Sequence, residues 1–111
     1  MDVKLNNKVI FRAKILNNFF SKFKGLMFSR LEKGKSLIFV LDFESRLNSA
    51  IHMLFVFFPL DVIFLDASKK VVDVRKAYPF VSFIVPRFKS KYVIEMNAGE
   101  NVLKVGDRVS F

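Results

Sequence analysis

The sequence has no cysteine and no tryptophan, one histidine, four glycines and three prolines. Without cysteine, a disulfide scaffold, a thiolate zinc site and a cysteine nucleophile are all excluded. A single histidine excludes the multi-histidine metal sites. With so few glycines no phosphate cradle is available, and neither a Walker-type loop nor a nucleophile elbow occurs. Acids are scarce: ten Asp and Glu stand against nineteen Lys and Arg, a formal net charge of +9. A long unbroken apolar run is missing as well. The longest, Ile51 to Leu65, is interrupted by His52, Pro59 and Asp61 and falls short of the ~20 residues a membrane-spanning helix needs. The start, Met1 to Lys8, alternates without an apolar block and does not read as a secretory signal. The expectation is a cytoplasmic protein with no transmembrane segment.

What is present points to one folded domain over residues 1–111. The hydrophobic fraction is 52%, with fifteen Phe, enough to build a core in a chain of this length. Val3 to Leu5 and Val9 to Leu16 read as two strands joined at Asn6-Asn7. In the second, Val9, Phe11, Ala13 and Ile15 alternate with Lys8, Ile10, Arg12 and Lys14, the pattern of a half-buried edge strand guarded by lysines. Asn17 and Asn18 are N-cap residues. Phe19, Phe20, Phe23, Leu26 and Met27 then recur at the spacing of a short amphipathic helix.

Ser36 to Leu41 is a short, continuously apolar run that suits a central strand, and Asp42 to Ser49 reads as a loop. Ile51 to Phe58 and Leu60 to Leu65 are two more strands around Pro59. Asp66 to Lys69 is a turn, with Val71 to Ala77 as the return strand of a hairpin. Tyr78 to Lys91 is less regular. Tyr92 to Asn97 is a strand ending at Ala98-Gly99, and Arg108 to Phe111 is the last, led in by the Gly106-Asp107 turn. The sum is an all-β chain of about eight short strands and one short helix, a sandwich or a closed barrel. A wound α/β sheet needs helical crossovers that the chain from Ser36 onward does not offer.

Gly25-Leu26-Met27-Phe28, then Pro59 to Asp66, then Val93 to Gly99 with Val105-Gly106-Asp107 close behind, resemble in order and spacing the uncharacterised family numbered 192 among domains of unknown function. The resemblance runs from about Val9 to Phe111. It implies a compact, jelly-roll-like β domain and no established activity. The common bacterial pattern of that family has Phe-Trp-Met-Lys-Asn-Thr shortly before Pro-Leu-Asp. Here those positions are Ile51, His52, Met53, Leu54, Phe55 and Val56. A site built on those polar groups is absent from this chain or built differently. The apolar version resembles the archaeal-type members.

Few residues carry candidate chemistry. Asp61 stands inside an apolar strand, where a carboxylate must be paired, hydrogen-bonded or shifted in pKa. It reads either as a ligand or acid/base group, with His52 as a partner, or as an acceptor of backbone N–H bonds at the start of the strand. His52, among apolar neighbours, reads as a switch or base, or as a half-buried ring bonded to a carbonyl. Glu95 is expected on a solvated or barrel-mouth face, and Asp107 in a local turn. The spacing of Asp61, Asp66 and Asp73 matches no calcium loop. No cofactor or metal is indicated.

The positive charge falls into two stretches. One is Lys22, Lys24, Arg30, Lys33 and Lys35, and the other is Arg87, Lys89 and Lys91 beside Phe83, Phe88 and Tyr92. Three function classes follow. The leading one is a monomeric binding module that takes a small ligand or a peptide on a concave face near Asp61 and His52. The alternative is single-stranded nucleic-acid binding, RNA included, through the basic stretches. The third is a weak acid/base enzyme using Asp61 and His52, although no catalytic motif is present.

Overall fold

The computed structural model describes residues 1–16, 34–45, 51–52, 59–78, 83–84 and 87–111. The chain forms strands β1 (Asp2–Leu5), β2 (Lys8–Leu16), β3 (Lys35–Ser45), β4 (Ile51–His52), β5 (Leu60–Leu65), β6 (Val71–Ala77), β7 (Phe83–Ile84), β8 (Ser90–Asn97) and β9 (Val109–Ser110). Seven of them make one sheet in the order β6-β5-β8-β3-β2-β1-β9, and β4 pairs with β7 separately. The β2–β3 pair is parallel, and every other ladder among the described residues is antiparallel.

The sheet curls until its two ends touch. Ahead of β9, Arg108 bridges to Lys70. The Val71 N–H donates to the Asp107 carbonyl at 2.7 Å and the Gly106 N–H returns to the Val71 carbonyl at 2.9 Å. The concave face is filled by a core to which all seven strands contribute, including Val3, Phe11, Ile38, Ile63, Val71, Ile94 and Val109. The convex face carries a second cluster of Phe39, Leu60, Val62, Phe64, Ala77 and Val93. The central strands are therefore buried on both faces, which is why β5 is apolar at five of its six positions. Each fully buried side chain of this size contributes about 1.5–3 kcal/mol to folding. The all-β class stands, and the curled half-barrel sheet corresponds to the barrel form of the expected architecture.

Local chemistry explains the hairpins. Asn6 and Asn7 both have positive φ, 53° and 64°, the backbone of a two-residue turn whose twist matches that of paired strands. Asp66 organises the β5–β6 turn. Its Oδ1 accepts from the Ser68 N–H at 2.9 Å, the Ser68 hydroxyl at 2.8 Å and the Lys70 N–H at 3.0 Å. Partial burial alone would raise the Asp66 pKa, but these bonds outweigh it and hold the carboxyl below its ordinary value.

Several expectations need correction. Strand β2 is not an edge, since it lies between β3 and β1. Its alternation also breaks near its start. Val3 pairs with Phe11 but Lys4 with Val9, so Ile10 is the extra residue of a bulge. Ile10 then packs against the concave core while Val9 is 47% exposed. Strand β3 does not stop at Leu41 but continues to Ser45, because pairing with β8 resumes at Ser45 and Ser90 after a register shift. The irregular stretch after Tyr78 contains β7. The last strand is shorter than expected, because Arg108 bonds across to Lys70 instead. The helix expected over Phe19 to Met27, and the part of the fourth strand from Met53 to Phe58, lie outside the described residues.

Candidate functional site

The curl leaves a cleft of about 290 Å³ at one mouth of the half-barrel. Its floor is Ile10, Phe11, Ser36 and Met96, where β3 begins and β8 ends beside the Ile10–Phe11 part of β2 on the concave side. Its rim is Gly34 and Lys35 on one bank and Gly99 and Glu100 on the other. The floor is fixed by the sheet, with the Ser36 hydroxyl donating to the Arg12 carbonyl at 3.2 Å. The far bank is a loop and needs an anchor.

Asp61 supplies that anchor. It sits opposite Met96 in the β5–β8 ladder and is only 7% exposed. Its Oδ2 accepts from the Gly99 N–H at 2.9 Å and the Asn101 N–H at 3.1 Å. Asn101 extends the clamp: its side-chain amide donates to the Leu103 carbonyl at 2.8 Å, and its Oδ1 accepts from the Leu103 N–H at 2.8 Å. The Asp61 carboxylate thus shapes the cleft from behind its wall. Across the cleft the Gly34 N–H points to Glu100, 3.3 Å from one carboxylate oxygen and 3.4 Å from the other.

The other candidates are dispersed. His52 belongs to the separate β4–β7 ladder, paired with Phe83, and only its backbone falls within the described part. Lys22, Lys24, Arg30 and Lys33 lie outside the described residues. Lys35 is exposed at the cleft, by the Met96 end of β8. Exposed Arg87 and Lys89 and half-buried Lys91 sit at the Ser90 end. At ~3.3 Å per residue the two ends of β8 are about 20 Å apart, so Lys35 and the second basic stretch do not merge. Asp61, Asp66 and Asp73 do not converge either, and no metal-holding group of acids or histidines occurs among the described residues. Asp73 is buried on β6 and accepts from the Val74 N–H at 2.9 Å, the Arg87 N–H at 3.0 Å and the Arg75 Nε at 3.1 Å. It thereby ties the start of the second basic stretch to the sheet.

Glu95 contradicts the expectation of a solvated face. It is 0% exposed, between Leu37 of β3 and Val62 of β5 on the convex side. Among the described residues, neither carboxyl oxygen has a hydrogen-bond partner. Burial pushes its pKa up to about 8, so at neutral pH it is mostly a neutral acid. The alternation Val93, Glu95, Asn97 suggested a wet face only if β8 were buried on one side. As a central strand it is buried on both.

Fold and site together define a class: a small half-barrel β domain with a cleft of about 290 Å³ at its mouth and a carboxylate that fastens the cleft wall. The whole chain, residues 1–111, matches the model of DUF192, "Uncharacterized ACR, COG1430". The chain belongs to this family. It is 46% identical over 88 residues to a UPF0127 protein of Thermococcus sibiricus, a match covering 79% of this chain and 56% of that protein. This chain thus spans little more than half the length of that relative. It is 43% identical over 103 residues to a UPF0127 protein of Pyrococcus abyssi, covering 90% of this chain and 86% of that one. A crystal structure of a protein of unknown function from Novosphingobium aromaticivorans superposes with a TM-score of 0.76 at 25% identity, over 91% of this chain and 75% of that one. A second, from Sinorhizobium meliloti, gives 0.78 at 22% identity, over 88% and 79% of the two chains. Among the described residues, no helix is long and apolar enough to cross a membrane.

Proposed function

We propose that this domain is a binding module that takes a small, mostly apolar molecule in the cleft at the mouth of the half-barrel. The observation that carries this reading is the cleft itself. It has an apolar floor of Ile10, Phe11 and Met96, a polar rim, and a wall clamped by a buried carboxylate. Ligand sites combine an apolar lining with a few placed polar groups. At about 290 Å³ the cleft lies at the lower end of the usual ~300–1,000 Å³ range, so a small molecule suits it better than a peptide. Asp61 acts here as a positioning residue.

Amide chemical-shift mapping with hexanol, hexylamine and hexanoate tests the reading. At least one probe is expected to shift Ile10, Phe11, Ser36 and Gly99, and Ile10→Trp, which fills the cleft, is expected to abolish those shifts. Shifts confined to other residues, or none at all, would remove the cleft from consideration.

A second reading has its own observation. Phe88 is 60% exposed between exposed Arg87 and Lys89, and Asp73 holds the Arg87 backbone in place. An aromatic face flanked by cations suits base stacking on a single strand. Anisotropy of labelled single-stranded RNA across a salt series is expected to show a steep log–log slope. Replacing Arg87, Lys89 and Lys91 by Gln should lower that slope by about two to three charges. Weak binding that disappears at physiological salt would make these cations a solubility feature.

A further inference from the structure

The Glu100 carboxylate occupies a position at the cleft rim that faces a backbone N–H donor. Gly34 presents its N–H there, and Lys35 lines the same bank. The Glu100 carboxylate reaches across from the other bank and straddles that N–H with both oxygens. At 3.3 and 3.4 Å these contacts are longer than the ~2.7–3.2 Å of a well-made N–H···O bond. An exposed contact of this length closes and opens easily. It joins residues 66 positions apart in sequence, so it is a tie between the two banks and not a local turn.

Resting on the cleft reading above, we infer that the cleft takes a short apolar monocarboxylate and that Glu100 is its built-in stand-in. The ligand's carboxylate replaces that of Glu100 on the Gly34 N–H beside Lys35, and its hydrocarbon lies over Ile10, Phe11 and Met96. Glu100 then swings off the rim into solvent, which opens the wall clamped by Asp61. The net charge of +9 favours the approach of anions to the protein as a whole. A neutral alcohol of equal length gains the apolar contact but has no carboxylate to displace Glu100. A site whose competent state is open only part of the time binds more weakly by that fraction. Glu100 therefore holds the affinity for carboxylates down.

The test compares hexanoate with hexanol by amide shift titration of the full chain, in the parent and in Glu100→Ala and Glu100→Gln. Hexanoate affinity is expected to rise about five- to tenfold in Glu100→Ala and less in Glu100→Gln, which keeps an acceptor for Gly34. Hexanol affinity should stay unchanged. In the parent, hexanoate should move the Gly34 amide proton and hexanol should not. If hexanol binds the cleft and hexanoate gains nothing in Glu100→Ala, the carboxylate inference falls and the cleft reading stands. If neither probe binds, the carboxylate inference falls, and if hexylamine does not bind either, the cleft reading falls with it. Should Glu100→Ala fail to fold, the Gly34 shift in the parent decides. An equal response to both probes then overturns the inference.

Discussion

Glu95→Met is expected to raise the melting temperature at pH 8 by an amount of order 10 °C, with most of that gain gone at pH 5. Met keeps the length of the side chain and removes two buried oxygens that have no partner among the described residues. Folding holds the Glu95 proton: burial lifts its pKa from 4.5 to about 8, while the unfolded chain releases that proton near 4.5. Between these values the folded state carries one proton more than the unfolded state. Stability attributable to this group is therefore fully present below about 4.5, falls by about 1.4 kcal/mol per pH unit as pH rises, and is fully lost above about 8. Over that window the loss amounts to about 3–5 kcal/mol. Glu95→Gln is neutral at every pH and should remove the slope while keeping a polar group in the core. Calorimetric melts of the three proteins from pH 5 to 8 decide the matter. A parent chain no more pH-sensitive than Glu95→Gln would mean that Glu95 finds a partner or water that satisfies it.

Asp61→Ala is expected to cost about 2–4 kcal/mol, because it strands two backbone N–H groups behind the cleft wall. These are the Gly99 and Asn101 amides that Oδ2 now accepts. Asp61→Asn should cost less, since its carbonyl oxygen can still accept, though without the strength a charge adds. Hydrogen exchange separates this effect from a general loss of stability. The Gly99 and Asn101 amides should lose protection in Asp61→Asn, while Ile63 and Ile94 in the core keep theirs. The same variant should weaken any probe bound in the cleft, because the far bank is no longer held. Unchanged protection at Gly99 and Asn101 would show that the loop holds its shape without Asp61.

Much of the fold is legible locally. Leu60 to Leu65 and Val71 to Ala77 coincide with β5 and β6, because an apolar run bounded by Pro59 and by the Asp66 to Lys69 turn leaves little choice of ends. The Asn6-Asn7 turn is equally readable, since asparagine tolerates positive φ. Asp61 stands out for the same kind of reason: a carboxylate in an apolar strand must find donors. Which donors it finds is not local. Gly99 and Asn101 come to it only because β5 pairs with β8.

Other features escape local reading. Alternation cannot separate a strand with one wet face from a central strand interrupted by a single acid, so Glu95 is misplaced by pattern alone. The bulge at Ile10 turns Ile10 and not Val9 inward at the start of β2, while Phe11, Ala13 and Ile15 keep the expected face, and nothing in the local pattern marks it. The cleft is the extreme case. Its residues lie near positions 10, 35 and 97, and they meet only through the parallel β2–β3 pair and the antiparallel β3–β8 pair.

The sequence by itself determined an all-β domain, its turns, the absence of cysteine chemistry and the excess of positive charge, because these follow from residue type and short-range periodicity. Tertiary structure alone decided strand order, the closing contact between Lys70 and Arg108, the burial of Glu95 and the place of the cleft. Each of those depends on contacts between segments far apart along the chain, and strand pairing and packing, which no single segment encodes, choose them.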